Sequence, residues 1–393
     1  MSKTTTVTAT EFEQLIKDVH RIGQEVVAQH AEDVDKNARF PREGIEALKS
    51  LKLMSAYVPK EHGGMGLDLR QVSKVCEVLG HYCGSTAMVY AMHKIQVACI
   101  VHHCMDVDYF KTYVGKLIDE QRLIASATTE IGIGGDLLSS FCAVEAQNGQ
   151  FTLTKKAPVI SYAEDANDLM LTARRNPDAA KSDQVGVLVS KDQYEVEAIS
   201  DWDTLGFRGT CSSGFVVTAK ASESQISPVP FTEVLSQTMH PYSHIVWAAL
   251  WSGIAASAVA KARIFTKNAM RKNPNMPPIS SIRLAEAETQ LNMMRNNVSA
   301  AIDEYTELLE RGDSDAFSNF GFTIRTNNLK INSSKLLIDI VGQAMMICGI
   351  ASYRNNNDLS LARHIRDAYG ASLMVNNDRI MMHNSSLVVM HKE

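Results

Sequence analysis

Between residues 128 and 136 the chain reads Thr128-Thr129-Glu130-Ile131-Gly132-Ile133-Gly134-Gly135-Asp136. Adjacent hydroxyls and closely spaced glycines suit a loop that must approach a planar, hydrogen-bonding ligand. Glycine lets the backbone come close, and each hydroxyl can donate and accept. A turn built around a satisfied Glu130 is the plainer reading of the same residues. Elsewhere, His93, His240 and His244 lie in apolar surroundings, His244 directly after Ser243. Imidazole can act as a base near neutral pH, although a lone histidine on an apolar helix also serves as a hydrogen-bonded core residue. His102 and His103 read as a helix end. Asp378 is a further candidate base, or else a surface ion pair with Arg379. Arg208 suits a site or a strand cap, and Arg366-Asp367 a structural pair. Trp202, Trp247 and Trp251 read as core packing, and Met345, Met346, Met374, Met381 and Met382 as core or pocket lining.

Composition bounds the classes of function. The 393 residues suffice for two or three packed units, with 45% apolar and 21% charged residues. A net charge of −5 without a Lys/Arg stripe argues against nucleic acid as a partner. The seven cysteines form no Cys-x-x-Cys pair and are expected as free thiols in a reducing compartment, with no metal site. Met1-Ser2-Lys3-Thr4-Thr5-Thr6 has no apolar leader, and the apolar stretch 245–260 is broken by Ser252, Gly253 and Ser257. A soluble, cytoplasmic protein with no membrane partner is expected.

These groups must be positioned by regular elements. Apolar residues at helical spacing predict helices from Thr8 or Thr10 through Ile22, and over 41–51, 69–81 and 85–102, the last apolar nearly all round. From Leu123 the pattern shifts to short β-branched runs. Strands are predicted over 141–146, 150–154, 168–172, 185–189 and 214–218, forming a small barrel or sandwich. Long helical patterns return over 243–267, 282–311, 323–348 and 359–390, as in a bundle. No Gly-x-Gly-x-x-Gly opens a helix after a strand, so a nicotinamide-binding domain is not expected. The predicted domains are 1–122, 123–232 and 233–393.

Four motifs stand in this order along the chain: Val58-Pro59-Lys60-Glu61-His62-Gly63-Gly64-Met65-Gly66, the loop 128–136, Leu205-Gly206-Phe207-Arg208-Gly209-Thr210, and Arg363-His364-Ile365-Arg366-Asp367-Ala368. With them, the sequence resembles the acyl-CoA dehydrogenase superfamily over nearly its whole length. The resemblance implies a mainly α fold with a middle β-domain: an N-terminal helical domain, a small β-barrel and a C-terminal four-helix bundle. It also implies a homotetramer or homodimer and FAD as cofactor. The FAD contacts it implies are Thr128, Thr129, Gly134 and Gly135 in the loop, Ile160 and Ser161 beside the ring, and Arg271 and Gly349 at its edges.

The resemblance weakens at the reaction itself. The position of the family's usual catalytic Glu falls at Val375, and the alternative position used by some relatives falls at Ser243. Val159 stands where the family has Trp. Arg271-Lys272-Asn273-Pro274-Asn275 and Met346-Ile347-Cys348-Gly349-Ile350 keep only parts of the corresponding motifs. His244, His93 and Ser243 are therefore the candidate catalytic residues, with His240 beside them. The first expectation is an FAD-dependent oxidoreductase acting on an acyl thioester of CoA or a carrier protein, in a specialised pathway, with an electron-transfer partner or O2 as acceptor. The alternative is a flavin monooxygenase of the same fold that uses a C4a-peroxyflavin. A non-catalytic thioester-binding scaffold is the third.

Overall fold

The structure is a computed structural model describing residues 7–272 and 278–391. Helix α1 (Ala9–Ile22) starts at Thr8, whose hydroxyl accepts from the Glu11 N–H at 3.3 Å while the Glu11 carboxylate accepts from the Thr8 N–H at 2.9 Å. This reciprocal cap satisfies two donors that a helix end leaves open. The helix continues through a wider turn, Gly23–Val27, into α2 (Ala28–Lys36). There follow α3 (Arg42–Ser50), α4 (Leu69–Tyr82), the almost wholly buried α5 (Gly84–His103) and α6 (Asp108–Glu120). The sequence reading assigns no element to α2 or α6. Only Ala31, Val34 and Asp35 of α2 are buried, which leaves a weak apolar period. In α6 the stripe Phe110, Tyr113, Val114, Leu117 was readable.

Among the described residues eight strands follow: β1 (Ile124–Ala127), β2 (Glu145–Gln147), β3 (Gln150–Ala157), β4 (Asp168–Arg174), β5 (Gln184–Ser190), β6 (Tyr194–Ser200), β7 (Gly214–Ser222) and β8 (Ile226–Pro230). They form two four-stranded sheets, ordered β1-β4-β5-β8 and β2-β3-β7-β6. Among these strands β1 and β4 alone pair in parallel, and an isolated parallel bridge joins Ala143 to Arg174 of β4. In β3 every second side chain is buried, and that alternation carries Lys155 inward with Phe151, Leu153 and Ala157. The strand predicted over 141–146 shrinks to β2, because the Phe141 and Cys142 N–H groups donate to the Glu130 carboxylate rather than to a ladder.

The chain returns to helix at α7 (Phe231–Val234), which runs through the turn Leu235–Met239 into α8 (His240–Lys272). Then come α9 (Ser280–Arg311), α10 (Phe320–Cys348), α11 (Ile350–Tyr353), α12 (Ala362–Leu373) and α13 (Asn377–Met390). The segment Phe231–Lys272 is long and apolar enough to cross a membrane, but its most apolar window is 83% buried within the protein, as in a core helix. Helices α4 and α8 cross at paired glycines. A Cβ on Gly80 would lie 2.2 Å from the Leu250 carbonyl oxygen, and one on Gly253 would lie 1.9 Å from that of Glu77. The single helix predicted over 359–390 is broken instead. Val375 (φ 51°) and Asn376 (φ 42°) adopt left-handed backbone, and the Asn376 side chain caps α13 by accepting from the Asp378 and Arg379 N–H groups.

Candidate functional site

A cavity of about 710 Å³ opens where the β-domain meets the two helical parts. Its first wall is the loop 128–136 with the segments around Ser161 and Ser212. The loop is pinned by Glu130, whose carboxylate accepts from Ser140 Oγ (2.6 Å), the Phe141 N–H (3.1 Å) and the Cys142 N–H (2.8 Å). Lys155 Nζ stands 3.7 Å from Glu130 and donates to the Thr172 carbonyl at 2.7 Å. Burial pushes the Lys155 pKa down, and Glu130 partly offsets this. Thr172 Oγ1 donates to the Thr128 carbonyl at 3.4 Å. A satisfied Glu130 and a ligand-facing loop are therefore the same structure: buried charge holds Thr128, Thr129 and Gly135 against the cavity.

Hydroxyl directions on this wall follow from proton counting. Thr210 Oγ1 spends its proton on the Phe207 carbonyl (2.9 Å), so Ser212 donates to Thr210 (2.8 Å) and Ser161 donates to Ser212 (2.7 Å). Ser161 keeps only lone pairs for whatever lies against it. Thr129 Oγ1 donates to the Val159 carbonyl at 3.1 Å, and the Val159 side chain, 40% exposed, lines the cavity. Ile160 is fully buried and its N–H is used by the Ser213 carbonyl, so it has no free donor for a ligand. Gly134 keeps positive φ (62°) but does not line the cavity.

The second wall is made by stripes of two helices, Met88, Met92, Ile95 and Gln96 of α5 and His240, Ser243, His244 and Trp247 of α8. Both stripes follow the three-to-four-residue helical repeat. His244 Nδ1 lies 3.2 Å from the Thr326 carbonyl, which can only accept, so Nδ1 carries the proton. Its Nε2 then holds a lone pair with no hydrogen-bond partner among the described residues. Asn327 donates its amide to Asn384 Oδ1 (2.8 Å), which turns Asn327 Oδ1 toward His240 Nε2 (2.9 Å) and makes that nitrogen the donor. The two imidazole centroids are 4.4 Å apart. Burial lowers both pKa values, and for His244 the neighbouring His240 lowers it further. Ser243 Oγ donates back to the His240 carbonyl at 2.8 Å.

His93 is placed elsewhere. Its Nδ1 accepts from the Ile124 N–H (3.1 Å) and its Nε2 donates to the Met54 carbonyl (2.8 Å), which exhausts a neutral, fully buried ring. It ties α5 to β1 and has no access to the cavity, so the catalytic expectation for it is corrected to a structural one. Lys94 donates to the same carbonyl.

The third wall is the α12–α13 junction, including Tyr369, Leu373, Val375, Asn376 and Arg379. Among the described residues, no Asp or Glu lines the cavity. Asp378 is exposed and does not line the cavity, and among the described residues no ion pair joins it to Arg379. Arg366 and Asp367 do not pair with each other. Arg366 binds the Asp35 carboxylate (2.9 Å for one bond) and the Leu205 carbonyl (3.0 Å), while Asp367 accepts from the Phe207 N–H at 2.6 Å. Arg208 Nε donates to the Asp35 carbonyl oxygen at 2.9 Å, so it ties domains together rather than facing the cavity. Arg271 sits exposed in the last turn of α8, and Gly349 (φ 58°) breaks α10 from α11; neither lines this cavity. Asn273, Pro274 and Asn275 of the Arg271 motif lie outside the described residues. All seven cysteines are free, and no cluster of three metal-ligating side chains occurs among the described residues.

A helical domain, a small β-domain and a helical bundle around one cavity are the architecture of the acyl-CoA dehydrogenase type of oxidoreductase. The N-terminal domain pattern of acyl-CoA dehydrogenase matches residues 9–121 and its C-terminal domain pattern matches 235–384, so the chain belongs to the acyl-CoA dehydrogenase family. It is 24% identical to a probable acyl-CoA dehydrogenase of Mycobacterium leprae over 91% of this chain and 90% of that one. Its fold matches butyryl-CoA dehydrogenase from Megasphaera elsdenii with a TM-score of 0.82 at 19% identity, covering 98% and 99% of the two chains. It also matches FMN-bound TdsC, the dibenzothiophene monooxygenase of Paenibacillus sp. A11-2, with a TM-score of 0.84 at 16% identity, covering 96% and 98%.

Proposed function

We propose that the chain is a flavin-dependent monooxygenase acting on an apolar substrate within this cavity. The observation that carries the reading is the wall chemistry. Two imidazoles held neutral by burial face the space, and among the described residues no carboxylate does. Removal of a thioester α-proton by the family's usual carboxylate therefore has no counterpart here. Support also comes from the dibenzothiophene monooxygenase that shares this fold and binds FMN.

The residues present suit a flavin. Gly135, at a positive φ of 80°, brings bare backbone to the cavity beside Arg379, Thr128 and Thr129 bring backbone and hydroxyls to it, and Ser161 offers lone pairs to an N–H group. When bound, a flavin supplies two-electron redox chemistry and, once reduced, activation of dioxygen. This chain's residues would do the rest. The apolar stripes exclude water, and His244 Nε2 takes or returns a proton. Because burial lowers its pKa, that nitrogen stays unprotonated below the ordinary imidazole value, so the acid side of the pH–rate profile should lie below pH 6.5.

FAD remains our choice of flavin, on the resemblance of the loop 128–136. A cytoplasmic homotetramer or homodimer belongs to the same reading, since an exposed Arg271 that misses this cavity is free to meet another subunit's cofactor. The second reading, dehydrogenation of an acyl thioester with electrons passed to a partner, rests on the unpartnered His244 Nε2 as the base and on the relatives' names.

Anaerobic mixing of the flavin-loaded enzyme with butyryl-CoA separates the two. The monooxygenase reading expects the visible flavin absorbance to persist, and bleaching by the saturated thioester would transfer the assignment to the dehydrogenase. A chain that takes up no flavin would leave only a scaffold. His244→Ala should keep the flavin and lower turnover by about 10²–10⁴-fold; unchanged turnover removes His244 from the mechanism.

A further inference from the structure

Among the described residues, two arginines line the cavity, and their charges are handled differently. Arg366 is neutralised, because its guanidinium binds the Asp35 carboxylate and the Leu205 carbonyl. Arg379 is exposed to the space, and its guanidinium has no hydrogen bond, ion pair or ring contact with any described residue. Its place is set by Gly135. A Cβ on that glycine would lie 2.5 Å from Arg379 Cζ and 2.7 Å from Nη2. The guanidinium thus occupies the room that a side chain at 135 would take. It reaches from α13, on the third wall, to the loop 128–136, on the first.

Two further features add positive potential at this place. In the glycine turn, the Asp136 N–H donates to the Ile133 carbonyl (3.1 Å) and the Leu138 N–H to Asp136 Oδ1 (3.0 Å). The N–H groups of Gly134, Gly135 and Leu137 have no partner among the described residues. Arg379 also lies in the first turn of α13, which begins at Asn377. That is the positive end of a helix dipole, where an unpaired cation is disfavoured and an anion favoured. No carboxylate offsets this. Asp136 and Asp378 are exposed, neither lines the cavity, and neither pairs with Arg379 among the described residues. A planar guanidinium fork beside unpaired N–H groups of a glycine turn matches a phosphate, which offers several charged oxygens at once.

We propose that Arg379 and the turn 134–137 form a phosphate seat in the cavity wall. The proposal rests on the assignment of the cavity as the flavin site and deepens it, since FMN and FAD both carry phosphate and riboflavin does not. A phosphate on the substrate is the other source of the same chemistry. Gly135 is part of the seat because a side chain there would displace the guanidinium.

Riboflavin, FMN and FAD are titrated against the full chain stripped of flavin, and inorganic pyrophosphate against the flavin-loaded chain, each followed by calorimetry. If the flavin supplies the phosphate, FMN or FAD should bind wild type about tenfold or more tightly than riboflavin. Arg379→Met should then remove about tenfold of that advantage and change riboflavin affinity by less than about threefold. Arg379→Lys, which keeps the charge without the fork, should recover part of it. If the substrate supplies the phosphate, Arg379→Met should leave all three flavins alike and weaken pyrophosphate binding about tenfold. The proposal is overturned if Arg379→Met changes neither binding, or if riboflavin loses as much affinity as FMN and FAD. A wild-type chain that binds none of the three flavins overturns the assignment of the cavity instead. Pyrophosphate binding to that chain, lost in Arg379→Met, would still support the seat.

Discussion

On the β-domain side of the cavity, Glu130 and Lys155 bury opposite charges 3.7 Å apart. On the helical side, His240 and His244 stand 4.4 Å apart between ring centroids and are kept neutral by burial. The first wall is fixed: both carboxylate oxygens of Glu130 are engaged, and the loop it holds has few alternatives. The second presents a neutral group with unused hydrogen-bonding capacity, His244 Nε2. Cofactor geometry can thus be held constant by one set of residues while the chemistry and substrate choice vary through another. In this chain the loop resembles the family's, while among the described residues no carboxylate lines the cavity.

That contrast is open to attack at the fixed wall first. Glu130→Ala strands Lys155 as a buried, uncompensated cation, and about 3–5 kcal/mol of stability should be lost in urea unfolding, together with flavin retention. Replacing the pair by Glu130→Gln with Lys155→Met should recover most of the stability. A loss under about 1 kcal/mol for the single variant would mean that the pair does not anchor the loop.

The next largest effect is expected at the seam between the walls. Burial raises the Asp367 pKa from 3.8 to about 6, while the Phe207 N–H pulls it the other way. The folded chain therefore holds an extra proton between those values, and stability falls as pH rises through that window, by at most about 3 kcal/mol in all. Asp367→Asn keeps an acceptor for Phe207 and should flatten the melting temperature between about pH 4 and pH 6. An unchanged slope would assign the pH dependence to other groups.

The smallest effect is at Gly135. Its φ of 80° disfavours a side chain, and a Cβ there would lie 1.7 Å from Arg379 Nη1, the far end of a flexible chain. Gly135→Ala should cost about 1–2 kcal/mol and weaken flavin binding. Adding Arg379→Ala should relieve the collision and leave the backbone strain. Full recovery in the double variant would show that the collision was the whole cost.

The loop was legible in the sequence because its signal is local: hydroxyls, glycines and a carboxylate within a single turn-rich segment. The long helices and most strands were legible from their periods. The break at 374–376 was not, because no Gly or Pro marks it and the helical pattern runs straight through. It exists because Val375 and Asn376 accept left-handed backbone, which tertiary packing must enforce. The histidines were not separable either. His93 and His244 both sit on apolar helices, and what distinguishes them are partners 39, 31 and 82 residues away.

Asp35 has a consequence for access to the site. Its carboxylate receives Arg366 from α12, and its carbonyl receives Arg208 from the loop after β6. One residue of α2 is therefore gripped from both other domains beside the cavity. A hinge at this seam would have to break all of those bonds at once. Ligands must then pass through a doorway of set width, and the rate at which they come and go is decided by the side chains that border it rather than by domains swinging apart.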